Sequence, residues 1–335
     1  MRLHEDKSKF TEYIKAASVY FGINPALIEK DYYVTLFLSR AKDEIPGMVF
    51  KGGTSLSKCH KIIDRFSEDI DLTLDTEHFT QSPKRAANKT IIRICKDLGL
   101  ALTNEENIWS RREYNCFNVA YPILFPSKSL KTGLKIEMTY IQKSYPDETK
   151  RMDSLIGEFL HATGHDELAE KYGLQSFEIK VQALERTLVD KVFAVCDYML
   201  RGQTERQSRH IYDLSRLLTK VELNDELKSL AASVREERKS NKTCVSAQDG
   251  MDIPYLLRKV IETDYFRKDY EESTEKLLTK PLSYKEAIKG LAKIAESGVF
   301  EFIYEEKSNV YMLPSECAKA EQKANQKNNS EGNSK

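Results

Sequence analysis

Two aspartates separated by one residue, Asp69 and Asp71, close the stretch FKGGTSLSKCHKIIDRFSEDIDLTLD (50–75). If residues 69–75 form a strand, positions i and i+2 project from the same face, so both carboxylates point the same way. Two like charges at that distance raise each other's pKa. A divalent cation removes the conflict: Mg²⁺ takes one or two carboxylates and fills its other positions with water and phosphate oxygens. The same alternation also serves a strand edge whose acids face water. Upstream, Gly52 and Gly53 end one apolar run, and Thr54 and Ser55 open a helical one. Glycines let backbone N–H groups approach a ligand, a helix start favours anions, and the hydroxyls can add hydrogen bonds. A phosphate grip next to a pair of metal-binding acids is the layout that nucleotidyl transfer requires. Glu137, in GLKIEMTY, offers a third carboxylate; it also reads as the outward residue of an alternating strand.

Those residues need a framework. Residues 8–42 read as two helices, the second started by Asn24-Pro25, an N-cap followed by proline at the first helical position. GMVFKGG (47–53) reads as a strand ending in a turn, TSLSKCHKII (54–63) as a helix, and DIDLTLD (69–75) as a strand. A helix is expected from Pro83 to Leu98. Two β-rich runs follow at 112–125 and 131–141, then a loop with a short helix over 143–175, and a strand in FEIKV (177–181). The order implies an α+β domain with a mixed sheet over residues 1–182. Residues 183–315 read as a mainly helical domain, with a polar, mobile loop at 236–250. The Lys/Gln/Asn/Ser-rich tail 316–335 reads as disordered.

Composition narrows the class. The chain has 335 residues with Lys+Arg and Asp+Glu at 52 each, so any nucleic-acid surface must be local. No apolar run is long enough for a membrane span, and the charged N-terminus lacks a signal core. The cysteines at 59, 95, 116, 196, 244 and 317 form no CxxC and read as reduced thiols of a cytoplasmic protein.

In helix 183–200, Lys191 borders an apolar stripe of Leu184, Leu188, Val192, Val195 and Met199. It reads either as a snorkelling lysine or as an ammonium directed into a cleft. In the run 205–221, Arg206, Arg209, Asp213, Arg216 and Lys220 share helical spacing on one face. That face reads either as a solvated surface with an Arg209–Asp213 pair or as a basic track for an RNA backbone. Trp109 is expected in the core. His161 and His165 sit in a loop with no third ligand. EKDYYV (29–34) reads as a helix packed on the sheet, with Lys30 and Asp31 as candidates to line the site.

KGGTSLSK, RFSEDIDL, LERTLVDK and RHIYDL, in that order, resemble the AbiEii/AbiGii nucleotidyltransferase toxin family of the DNA-polymerase-β-like superfamily, over roughly residues 25–225. His210 stands where the family often has an Asp, whereas Asp213 is kept. The resemblance implies that Gly52, Gly53, Thr54 and Ser55 hold a nucleoside triphosphate, and that Asp69, Asp71 and Glu137 bind Mg²⁺ or Mn²⁺. It further implies that Lys191 contacts phosphate, that Asp213 completes the catalytic set, and that Arg206, Arg209, Arg216 and Lys220 face RNA. The expected activity is transfer of a nucleoside monophosphate to RNA, with the tRNA 3′ end as acceptor. The protein would be a monomeric toxin of a toxin–antitoxin or phage-defence system, restrained by a co-encoded antitoxin. Transfer to a protein or small-molecule hydroxyl, and an RNA- or partner-binding module with a relic site, are the competing readings.

Overall fold

Strict alternation in DIDLTL makes β2 (Asp69–Leu74) a strand, and its neighbours make it the centre of the site. It pairs antiparallel with β1 (Met48–Lys51) and parallel with β5 (Leu134–Thr139). Antiparallel to β5 lies β4 (Tyr114–Ala120), followed by β3 (Ala101–Leu102). On the other flank β7 (Phe177–Gln182) runs parallel to β1, and β6 (Asp147–Met152) pairs antiparallel with β7. The order is β3-β4-β5-β2-β1-β7-β6, the expected mixed sheet of an α+β protein. The computed structural model describes residues 2–67, 69–75, 81–109, 112–127, 130–140 and 143–302. They fall into two compact units, Met1–Thr187 and the part from Leu188 onward.

In the first unit the covered face of the sheet packs on α2 (Pro25–Glu44) and α4 (Gln81–Asp97), and α1 (Lys7–Phe21) lies against α2. In α4, Ala87, Ile91, Ile94 and Cys95 recur at helical spacing and are all buried, as is Leu98 just past its end. Asn24 caps α2 by accepting from the Ala26 N–H at 2.9 Å, with Pro25 at the first helical position, as the sequence implied. Its EKDYYV segment is buried throughout, and Tyr33 stacks on Tyr121 with ring centroids 4.2 Å apart. The three charged residues of that segment are tethers. Glu29 accepts from the Leu124 and Phe125 N–H groups, and Lys30 donates to the Lys131 carbonyl at 2.9 Å. Asp31 pairs with Lys58 and accepts from the Leu155 N–H, so it belongs to the scaffold.

Several expectations are revised. The helix placed at 54–63 is α3 (Gly52–Lys58); it stops early because Lys61 takes a left-handed φ of 53° and the chain turns back. The loop expected over 143–175 contains β6 as well as α5 (Leu155–Ala162) and α6 (Asp166–Lys171). β6 is an edge strand with little to bury, so DETKRM carries no apolar alternation. His161 lies in α5 and contacts Asp166. Trp109 is 57% exposed and not a core residue.

The second unit is helical among its described residues: most of α7 (Leu184–Leu200), α8 (Arg209–Leu217), α9 (Asp225–Lys239), α10 (Ile253–Glu262), the single turn α11 (Arg267–Asp269) and α12 (Tyr284–Glu296). α12 packs against α8 and α10. A Cβ on Gly290 would meet the Ser215 Cα at 3.1 Å, which is why the crossing of α12 and α8 takes a glycine there. The polar segment 236–250 is not a free loop. Arg238 is buried between Asp190 and Asp197, over the Phe193 ring, and Asp197 also accepts from both the N–H and the hydroxyl of Ser246. Arg238 reads as solvated in sequence but is satisfied inside by two acids of α7, whereas Glu236 and Asp249 stay exposed. The expected tail, 316–335, and the helical continuation past 302 lie outside the described residues.

Candidate active site

The registers place the acids. Asp71 stands opposite Lys51 on β1 and beside Glu137 on β5, which in turn faces Cys116 on β4. One step along, Asp69 pairs in register with Lys135, and Lys135 with Asn118. Because side chains alternate, Asp69, Asp71, Lys135, Glu137, Cys116 and Asn118 all belong to one face of the sheet. The three predicted carboxylates are therefore brought together.

Their electrostatics are uneven. Burial, and then the charge of Glu137, push Asp71 up from 3.8 to about 7. Burial would also raise Glu137, but hydrogen bonds from Lys135 (2.6 Å) and the Tyr114 hydroxyl outweigh it and hold this carboxyl below its usual range. Asp71 thus keeps its proton up to about pH 7 beside a Glu137 held below the usual carboxylate range. Asp69 is buried, and its Oδ1 has no hydrogen-bond partner among the described residues. An orphaned carboxylate oxygen beside a carboxyl pair that shares a proton fits a divalent cation. No group of three or more His, Cys, Asp or Glu closes around one point among the described residues. A set of one or two carboxylates completed by water and phosphate is one that Mg²⁺ accepts.

The turn is pressed onto these acids. Gly52 has φ +77°, and a Cβ there would fall 1.9 Å from Asp71 Oδ2. A side chain at Gly53 would meet the Arg65 guanidinium at 2.6 Å and the Ser67 hydroxyl at 2.7 Å. The hydroxyls of Thr54 and Ser55 are turned inward. Thr54 donates to the Asp69 carbonyl and lies 3.1 Å from Ser67 Oγ; Ser55 donates to the Gly52 carbonyl at 2.9 Å. Both are buried: Thr54 fastens α3 to β2, Ser55 closes a bond within α3 itself, and the glycine backbone is the part of the motif left to meet an anion.

Three contributors were not singled out from the sequence. Lys135 sits two residues before Glu137, and strand alternation alone would have put it on the same face. Tyr114 fixes Glu137 from the next strand, a relation visible only through the register. Arg65 lies in the RFSED stretch beside Gly53, but nothing in its spacing marks it. Lys30 lines a cavity of about 330 Å³ together with Asp69, Lys131 and Lys135.

In the second unit Lys191 and Asp213 form an ion pair at 2.7 Å, both buried. Asp213 is thus Lys191's partner and lies on the inner side of α8. His210 packs on the Tyr198 ring at 5.6 Å. The proposed basic stripe is not one helical face. Arg206 precedes α8 at φ +63°, its N–H held by Asp269 at 2.8 Å, and Lys220 follows the helix, so only Arg209 and Arg216 lie on it.

A glycine turn pressed on paired strand acids, within a mixed sheet, is the arrangement a nucleotidyltransferase-type centre calls for. The comparisons show the family and the fold. Residues 36–297 match the family described as nucleotidyl transferase AbiEii toxin, type IV toxin–antitoxin system. The chain belongs to this family, and it is a nucleotidyltransferase toxin of a type IV system. Among solved structures it is similar to MenT4, a nucleotidyltransferase toxin from Mycobacterium tuberculosis H37Rv. That likeness has a TM-score of 0.56 at 15% identity and covers 84% of this chain and 86% of that one, and it shows the fold. No curated protein matches the chain by sequence. Family membership implies a nucleoside triphosphate substrate and a co-encoded antitoxin. No helix among the described residues is long and apolar enough to cross a membrane.

Proposed function

We propose that this toxin transfers a nucleoside monophosphate from a triphosphate to the 3′ end of RNA, with tRNA as the acceptor, and so stops translation in phage defence. The observation that carries the reading is the buried Oδ1 of Asp69, without a hydrogen-bond partner among the described residues, beside the proton-sharing Asp71 and Glu137. Asp69 and Asp71 would hold Mg²⁺, with Glu137 as the third acid. The ion, when bound, supplies charge neutralisation on the phosphates and activation of the attacking hydroxyl. The Gly52–Gly53 backbone meets the triphosphate, where a side chain at Gly52 would strike Asp71. Lys135 and Tyr114 orient Glu137. The family resemblance assigns Lys191 to phosphate and has Asp213 complete the catalytic set; in the structure the two form a buried ion pair.

The test is incubation with each labelled triphosphate, Mg²⁺, and total RNA or total protein, resolved on gels. Labelled RNA in the tRNA size range is the expected result. Label in protein alone would overturn the RNA acceptor, and no transfer by the intact protein under any of these conditions would overturn the activity assigned to this site.

A further inference from the structure

The glycine turn opens a very short helix, and that helix must be held still by its neighbours. α3 has seven residues, too few to be stable alone, with Leu56 as its single apolar side chain and no side-chain cap at Lys51. Among the described residues, two of its side chains bond to other elements. Thr54 holds the front, donating to the Asp69 carbonyl beside the Ser67 hydroxyl. Lys58 holds the rear, with its ammonium on Asp31 Oδ1. Ser55 and Ser57 are used within α3, and His60 reaches the Gln182 carbonyl only after the helix has ended. The rear anchor is firm. The Asp31 side chain is 8% exposed and that of Lys58 12%, and the second oxygen of Asp31 accepts from the Leu155 N–H at 2.7 Å. Asp31 sits on α2 among the buried Tyr32, Tyr33 and Phe37, so it cannot follow α3 if α3 shifts. The lysine's charge also reaches Asp153, where burial is the larger influence and raises the carboxyl.

We infer that Asp31 is a positioning residue for the phosphate grip: through Lys58 it sets the tilt of α3, and so the place of the Gly52–Gly53 backbone beside the acids. The inference rests on the reading of that backbone as the seat of the triphosphate and adds what holds the seat. Asp31 itself touches no substrate. Thr54 and Lys58 lie one helical turn apart, about 6 Å along the axis, and Gly52 lies about 3 Å beyond Thr54. With the rear released, a swing of about 2 Å at Lys58 about the Thr54 bond moves Gly52 by about 1 Å. Asp69, Asp71 and Glu137 are carried by β2 and β5 and take no part in that swing. Loss of the tether therefore acts on triphosphate binding and leaves the acids in place.

The test is the double variant Asp31→Asn/Lys58→Met, beside each single change. Lys58→Met alone strands a buried carboxylate and should lower the melting temperature. The double variant removes both charges and keeps a carbonyl oxygen for the Leu155 N–H, so its melting temperature should return toward that of the wild type. The triphosphate Kd in Mg²⁺ is measured without acceptor, and KM and kcat for the triphosphate are measured in transfer to total RNA. The double variant is expected to raise Kd and KM about tenfold and keep kcat within about twofold, the pattern of a lost ground-state contact. A purely structural role would instead lower kcat through an unfolded fraction and leave KM alone. Unchanged Kd and KM in the double variant overturn the inference. So does a rise in Lys58→Met that the double variant restores, which would trace the effect to the unpaired charge. Gly52→Ala is measured in parallel. If it weakens triphosphate binding and the double variant does not, the tether alone falls; if neither weakens it, the seat lies elsewhere and the reading beneath falls too.

Discussion

Replacing Gly52 with alanine tests the contact between the turn and the acids most directly. The position has φ +77°, where an L-residue loses about 1–2 kcal/mol relative to glycine. The added Cβ would also fall 1.9 Å from Asp71 Oδ2 and 2.7 Å from its Cγ. That carboxyl hangs from a central strand and bonds Glu137, so it can yield only by leaving its rotamer, at about 0.5–1.5 kcal/mol. Gly52→Ala should therefore lower stability by about 2–3 kcal/mol. It should cost roughly 100-fold in transfer, the scale of a displacement of about 1 Å at a reacting centre. Gly53→Ala is the control. Its Cβ would meet only the side-chain ends of Arg65 and Ser67, and its φ is not in the left-handed region. The assays are urea denaturation and single-turnover transfer at saturating triphosphate for both variants. Equal losses in the two, or a fully active Gly52→Ala enzyme, would refute the idea that this glycine makes room for Asp71.

Asp71→Asn should abolish transfer yet stabilise the cation-free protein. The folded carboxyl binds its proton up to about pH 7 against 3.8 when unconstrained, so wild-type stability falls as pH rises across that window and the asparagine variant's does not. At about 1.4 kcal/mol per unit the ceiling is near 4 kcal/mol; with partial solvent contact about 2 kcal/mol at pH 8, vanishing by pH 4, is expected in melts without divalent cation. A variant less stable than wild type at pH 8 would make Asp71 a structural partner. Lys191→Met strands the fully buried Asp213 charge and should cost about 3–5 kcal/mol, most of it recovered in Lys191→Met/Asp213→Leu; additive losses in a double-mutant cycle would contradict the pairing. If Arg209 and Arg216 contact an RNA backbone, their double alanine variant should flatten the log–log salt dependence of RNA binding by about one unit, and an unchanged slope would leave them solvated.

How much of this was legible in the sequence depends on what each segment buries. β2, α2 and α4 announced themselves because apolar periodicity there matches the face they cover. β6 did not, because an edge strand of DETKRM has little to cover. The 236–250 segment was misread for a related reason. Arg238, Asp190 and Asp197 satisfy one another in the interior, and a buried ion network looks like a solvated loop when only residue types are visible. The stripe from Arg206 to Lys220 assumed one continuous helix. The left-handed Arg206, held by Asp269 from a distant segment, prevents that.

The acid cluster was legible because strand alternation and order along the chain suffice to bring Asp69, Asp71 and Glu137 to one face. What each atom does there was not. Thr54 and Ser55 looked like phosphate ligands because hydroxyls at a helix start usually have a free direction. Here α3 follows directly from β1 and must lie against the start of β2, so the Thr54 hydroxyl is used on the Asp69 carbonyl and Ser55's on the Gly52 carbonyl. The part of the motif left open to a ligand is therefore its backbone. Gly52 leaves space between the turn and Asp71, the Thr54 hydroxyl locks the turn to the strand that bears the carboxylates, and the Ser55 hydroxyl closes a bond within the turn. A substitution of Thr54 should then affect the position of Asp69 before it affects any contact with phosphate, because the carbonyl it binds belongs to Asp69 itself.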